Sequence, residues 1–340
     1  MSNTVLYGTV TGCTHVESVT INTGHDSAVT IALIECENTT AKIGDEITIN
    51  LGYTDDHAVV FVGYIKQIEK KAPSNTYSIT AHDTMSRAID YFIASSDPNN
   101  PFKRRDISAE DLVHDVIALS GLTHFNLQPT SFTLAIGTDA TVNLISAYDY
   151  ASSIADIVCW HLYANNVTGV INFVNRKPYV MYGTSGQPGD IADVSIGTIT
   201  IDKILTISHK MDEVNTRNRV VVYGKDTVHA EAKALLTYDP LIDDTLSGLG
   251  YYKTVVFASP LLTSTHYAQM SCDYNLNMLN RWGHEINITI LGNHNYIARK
   301  VITLDFTFSD GESMSKKWYI YSSELNWSRN GFVNNMILRI

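Results

Sequence analysis

Residues 61–83 read FVGYIKQIEKKAPSNTYSITAHD, and residues 318–340 read WYIYSSELNWSRNGFVNNMILRI. Each is a strand, a turn and a second strand: β-branched and aromatic residues crowd the two runs, and PSNT or RNG separates them. A further strand precedes each pair, GDEITINL in the first case and KVITLDFTF in the second. Phe61 lines up with Trp318 and Ile68 with Leu325 at the same separation. Strand order and strand length both agree, so the spacing predicts one antiparallel meander built twice. If each meander is a small barrel, three chains place six similar units around an axis. Closed rotational symmetry favours such a ring, which also covers strand edges that each barrel leaves open.

Working outward, SAVTIALIEC, DEITINL, AVVFVGYIKQIEK and NTYSITAH make the first 82 residues strand after strand. In EITINL the isoleucines and leucine alternate with polar residues, as in a half-buried strand. DTMSRAIDYFIA should close the unit as a short helix, and SSDPNNPFKRRD should be a linker. ISAEDLVHDVIALSGL, residues 107–122, has Ser108 and Asp111 as a helix start and Gly121 just past the end. Ala109, Leu112, Val113, Val116 and Ile117 share one face at about 100° per residue. A second helix is expected in SAYDYASSIADIVCWHLYANN, from Ser146, followed by a hairpin in VTGVINFVNRKPYVMYG. Strands return with NRVVVYGK, and a third helix runs from Ser264 to near Gly283. Its Tyr267, Met270, Tyr274, Met278 and Trp282 are expected to fill core. The expected class is mainly β with α+β insertions. The domains are expected at 1–94 (first barrel), 95–203 (α+β), 204–226 with 284–340 (second barrel), and 227–283 (an inserted segment with a helix).

No motif carries chemistry. His114-Asp115 has the letters of a metal-dependent hydrolase, but on the helix wheel both point away from the core and their side chains should diverge. One His and one Asp cannot complete a coordination shell. His82-Asp83 is a second such pair, at a strand end. GTSGQPGD at 183–190 is neither a nucleophile elbow nor a P-loop, and the Gly-Lys of NRVVVYGK lacks its Walker neighbours. Asp55-Asp56 and Asp243-Asp244 are adjacent, so in extended backbone they face opposite ways; turns explain them better than a glycosidase pair. Cys13, Cys36, Cys159 and Cys272 have no metal or disulfide spacing and read as free thiols. We therefore expect no catalytic, cofactor-binding or metal-binding residues. The formal charge of −11 argues against a basic nucleic-acid groove. No apolar run is long enough to span a bilayer, and MSNTVLYGTV lacks a signal-peptide profile, so a soluble protein made in a cytoplasm is expected.

The order of elements resembles that of phage tail hub proteins, the baseplate hub family of contractile tails. That family includes the late control D proteins and is similar to the base of type VI secretion spikes. The stretches that carry the resemblance are FVGYI with YSITAHD, ISAEDLVHDVIALSGL, IADIVCWHLYANNVTGVINFVNRKP, NTRNRVVVYGKD and the closing WYIYSSELNWSRNGFVNNMILRI. They cover nearly the full chain by pattern and order, with no rigid motif.

The resemblance implies a non-enzymatic homotrimer with two tube-like barrels per chain and pseudo-sixfold symmetry. It would sit in the virion baseplate, be assembled in the host cytoplasm, and join a hexameric tail tube to a trimeric spike. Tape measure and baseplate wedge proteins are further candidate partners. DNA would pass its channel without specific binding. The charge of −11 is compatible with a lumen that repels phosphates, and equally with a charge that serves solubility alone. The chain stops at the second barrel, so any lytic or piercing part is expected on other chains. Two alternatives stand beside this reading: a carbohydrate-binding or hydrolytic all-β protein of the host surface, and the tip of a non-contractile tail or of a contractile injection particle.

Overall fold

The computed structural model describes residues 5–94, 102–175, 191, 193–212, 214, 216–234, 249–280 and 283–339. The amino-terminal strands are β1 (Leu6–Val10), β2 (Cys13–Gly24), β3 (Ile31–Thr39), β4 (Glu46–Tyr53), β5 (Asp56–Lys70) and β6 (Tyr77–His82). Their alternation decides which face is buried: Ile47, Ile49 and Leu51 of β4 point into the core and the residues between them do not. The strands pair in the order β1-β4-β5-β6-β3-β2.

Helix α1 (Ser86–Asp90) follows and is shorter than residues 83–94 suggested, because β7 (Phe92–Ile93) begins at once. Next come β8 (Phe102–Arg104), β9 (Ile107–Ser108), α2 (Ala109–Ala118), β10 (Phe125–Leu127), β11 (Thr133–Leu134), β12 (Ala140–Val142), β13 (Ile145–Ser146) and α3 (Ala147–Val158). Both helices start the same way. Ser108 and Ser146 are extended, and their hydroxyls accept from the backbone N–H groups of Asp111 (3.2 Å) and Asp149 (3.0 Å). The buried face of α2 is Ala109, Leu112, Val113, Val116 and Ile117, as its wheel requires. Cys159 takes a left-handed conformation (φ 57°) and stops α3, so the helix expected through residue 166 ends at Val158. The hairpin therefore forms one strand early, from β14 (Trp160–Ala164) and β15 (Ile171–Asn175); the rest of its expected span lies outside the described residues.

The carboxy-terminal elements are β16 (Thr198–Thr200), β17 (Ile204–Asp212), β18 (Arg219–Tyr223), β19 (His229–Lys233), β20 (Thr254–Ala258), α4 (Thr265–Leu279), β21 (Gly283–Leu291), β22 (Val301–Asp305), β23 (Lys316–Ser328) and β24 (Gly331–Arg339). Six of these strands pair in the order β16-β22-β23-β24-β21-β17. Taken in chain order, that is the topology of the amino-terminal six: first, fourth, fifth, sixth, third, second. One pairing differs, since β1 is antiparallel to β4 whereas β16 is parallel to β22. Strand β2 lies antiparallel to β23 and joins the two units into a 12-stranded sheet. No described sheet closes on itself.

The correspondence extends to irregularities. The register of β2 on β3 slips between Val16 and Ser18, and that of β17 on β21 between Ile204 and Thr206. The register of β5 on β6 slips between Ile65 and Gln67, and that of β23 on β24 between Ile320 and Ser322. The backbone N–H of Gly44 donates to the Ile65 carbonyl at 2.8 Å, and that of Arg299 donates to the Ile320 carbonyl at 2.9 Å. Ile47 pairs with Gly63 as Ile302 pairs with Trp318. Trp318 is thus the counterpart of Gly63, two residues along from the Phe61 that the sequence alignment chose.

The reason is volume. A Cβ on Gly63 would lie 2.3 Å from the His82 carbonyl oxygen and 2.5 Å from the Phe61 ring. One unit fills the space with a ring reaching over a glycine, the other with an indole at the glycine's place. Gly63→Ala is therefore expected to destabilise by about 1–3 kcal/mol through overpacking, read as a lower urea midpoint at unchanged slope.

Residues 204–226 do not stay together. Strand β17 joins the large sheet, but β18, expected to start the second barrel, pairs with β19 and β20 in a separate sheet against α4. A short apolar strand reads alike in either place. The segment between the two units and the segment between β17 and β21 share one core, in which Ile154 and Val158 of α3 meet Val220, Val222, Ala268 and Cys272. On α4 the buried row is Ala268, Cys272 and Leu276, with Tyr267, Met270 and Tyr274 partly buried beside it. Trp282 lies outside the described residues.

Candidate interaction surface

The His114-Asp115 pair sits on the outer side of α2, as its place on the wheel requires, but the two side chains do not diverge. His114 Nδ1 lies 3.2 Å from Asp115 Oδ1, and Arg104 Nε donates to Asp115 Oδ2 at 2.5 Å. The imidazole rests on Phe125, ring centres 4.7 Å apart. Burial pushes the Asp115 carboxyl up, yet Arg104 and His114 outweigh it and leave it below the usual range. The pair ties a helix to a strand. Among the described residues, no three His, Cys, Asp or Glu side chains are placed to hold a metal ion. Asp56 begins β5 on the exposed surface, next to Asp55 in the turn; Asp243 and Asp244 lie outside the described residues, as does the 183–190 loop.

The second pair behaves differently. Asp83 is 2% exposed, and its carboxylate accepts from the backbone N–H groups of Thr30 (2.7 Å) and Met85 (3.0 Å). Burial pushes its carboxyl up to about 6. Nearby, Arg299 takes the left-handed conformation of its counterpart Gly44, with φ of 70° against 91°. Its guanidinium donates to the His25 carbonyl at 3.2 Å and lies 4.3 Å above the Tyr163 ring. His25 Nδ1 is 2.7 Å from the Tyr319 hydroxyl, and its ring meets that of His161 at 4.2 Å. This polar knot joins both six-stranded units to the inserted domain. Its members are scattered along the chain, and Asp83, one residue past the end of β6, reads in the sequence as a strand-end residue, so no sequence signal pointed to it.

The large sheet has one apolar face and one polar face. Across the polar face runs a shallow groove of about 520 Å³. A ladder of side chains crosses four strands there. Thr20 donates to Asn326, Asn326 and Asn335 both donate to Glu324, and Thr289 donates to Asn335, at 2.5–3.0 Å. Among the described residues that line the groove, Glu324 is the one that is charged, and none is a lysine or arginine. Hydroxyls and amides that satisfy each other make this groove wet and weakly charged.

No family model matches the chain, and no curated protein does either. Solved structures do. A tail protein from Neisseria meningitidis MC58 superposes with a TM-score of 0.65 at 12% identity, over 98% of this chain and 96% of that one. The fold is that of phage tail proteins. The 43 kDa tail protein of prophage MuSo2 from Shewanella oneidensis gives a TM-score of 0.62 at 9% identity, over 98% and 97% of the two chains. An Escherichia coli type VI secretion component, itself described as similar to phage T4 tail proteins, gives 0.54 at 9% identity, over 98% and 76%. The tail-protein fold thus spans the whole chain, and the resemblance drawn from the order of elements is borne out at the level of fold.

Proposed function

We propose that the chain is a structural tail hub protein, without enzymatic activity. Three copies form a ring in which the two similar units of each chain occupy six quasi-equivalent positions. One side of the ring meets a hexameric tail tube and the other a trimeric spike, so a sixfold structure is joined to a threefold one. The polar face would line part of the channel, where its amides and hydroxyls let DNA pass. Tape measure and baseplate wedge proteins remain candidate neighbours. The inserted segments, from α1 through β15 and between β17 and β21, would form the outer body of the hub. Its place would be the tail baseplate of a virion, a reading that the tail-protein fold supports.

One observation carries this reading: the two units share the same strand order, down to matched register slips, and are already joined edge to edge through β2 and β23. A chain that builds one such joint internally has the parts for a closed ring. Native mass measurement with negative-stain imaging tests it. The expected result is a particle of about 113 kDa, three times the 37.7 kDa chain, with an axial opening. A monomer at every concentration sinks the proposal.

A further inference from the structure

Two histidines 75 residues apart in the sequence meet in the carboxy-terminal unit. His209 lies on β17 and His284 on β21, where His209 faces Ile286 and Met211 faces His284. The two are therefore diagonal neighbours on one face of an antiparallel pair, close enough for their rings to touch. His209 Nε2 lies 3.3 Å from His284 Nδ1, and the ring planes differ by 9° with centres 5.5 Å apart. The centres are so much farther apart than the nitrogens that the rings meet edge to edge, nitrogen to nitrogen.

A third group fixes the protons. Glu312 Oε1 lies 3.1 Å from His209 Nδ1, the other nitrogen of that ring. The turn between β22 and β23 puts it there: the Phe308 N–H donates to the Glu312 carbonyl at 2.8 Å, and the Glu312 N–H donates to the Asp310 carboxylate at 3.0 Å. A carboxylate accepts and does not donate, so the His209 proton sits on Nδ1 and the Nε2 lone pair is turned toward His284. The His209 side chain is only 9% exposed, so its ring is held in place.

We propose that His209 and His284 chelate one divalent transition-metal ion of the zinc class, with Glu312 orienting His209. Two nitrogens bonded at about 2.0–2.1 Å to one tetrahedral ion stand about 3.3 Å apart. That is the observed gap, and a small turn of each ring aims both lone pairs at the ion. A histidine ligand whose second nitrogen donates to a carboxylate is the common arrangement at such ions. Imidazole suits zinc, copper and nickel, whereas calcium and magnesium take oxygen ligands. Among the described residues no third His, Cys, Asp or Glu completes the set, so water takes the remaining positions, as in an open site. The ion would pin β17, the last strand in the order of the large sheet, to β21. It does not depend on the ring.

The test uses the full chain and zinc chloride alone. Isothermal titration should show one Zn2+ bound per chain, undisturbed by excess Mg2+ or Ca2+. His209→Gln and His284→Gln should each weaken binding by about tenfold or more, and Glu312→Gln by about tenfold. His57→Gln, in the amino-terminal unit, should leave it unchanged. A check on the wild type needs no variant to fold: X-ray absorption at the zinc edge should count two imidazoles on the ion. No binding at millimolar zinc, binding that survives either histidine variant, or a shell without two imidazoles overturns the site. A Glu312→Gln chain that binds zinc as well as wild type overturns the orienting role of the carboxylate.

Discussion

Replacing Asp83 with alanine is expected to cost about 3–5 kcal/mol of folding stability at pH 7, because two buried backbone N–H groups lose their acceptor, at about 1–3 kcal/mol each, and the buried Arg299 loses a nearby countercharge. The backbone N–H groups of Thr30 and Met85 would lose their acceptor, and Arg299 would keep its charge in a dry site among Tyr163, Tyr319 and Asp83's vacated space. Arg299→Met should be milder, about 1–3 kcal/mol, since a carboxyl left alone can take up a proton and a guanidinium cannot release one. The pH dependence has a definite sign. Burial holds the folded carboxyl near 6, above its ordinary 3.8, so the neutral form favours folding. That contribution is complete below about pH 4 and is lost as pH rises through 6, a change of about 3 kcal/mol. Urea unfolding from pH 4 to 7 should show that decline in the wild type and its absence in Asp83→Ala. A variant within 1 kcal/mol of wild type at pH 7 would falsify the role given to the knot.

The second large effect is expected at Trp318. It is fully buried in the core of the carboxy-terminal unit, and its Nε1 donates to the Met314 carbonyl at 3.0 Å. Trp318→Ala should cost about 3–5 kcal/mol by opening a cavity that neighbouring isoleucines cannot fill. It also removes the donor from a backbone oxygen. Calorimetry should show a lowered melting temperature and, if the ring is intact in the wild type, loss of assembly at concentrations where the wild type is fully assembled. Trp318→Phe should recover part of both. An alanine variant that melts within a few degrees of wild type would mean that this indole is not a packed element of the core.

Much of the fold was legible because it was local. Ser108 and Ser146 announce helices, the apolar face of α2 follows from spacing alone, and the repeated strand order can be read from turn formers and alternation. What escaped were relations between distant segments. Phe61 was matched to Trp318 because a two-residue slip keeps every side chain on its own face, so periodicity cannot detect it. Strand β18 was placed in the wrong sheet because its Val-Val-Val run suits any buried strand. The shared core of the two inserted segments depends on residues such as Val158 and Cys272, which nothing in the sequence couples. Asp83 looked like a strand-end residue, and only its burial shows it to be structural.

The β2–β23 joint also has a consequence in time. Thr20 bonds to Asn326, 306 residues on, and Thr23 to the carbonyl of Ser323, 300 residues on, so β2 waits for a strand made much later in synthesis. Until then a growing chain carries β2 with one flank bare, and on a crowded polysome the first suitable strand to arrive could belong to a neighbour. Slow closure of such distant contacts is the general expectation for this kind of topology. Unfinished chains are therefore barred from orderly assembly, and premature exchange between them is the failure that the cell must outrun.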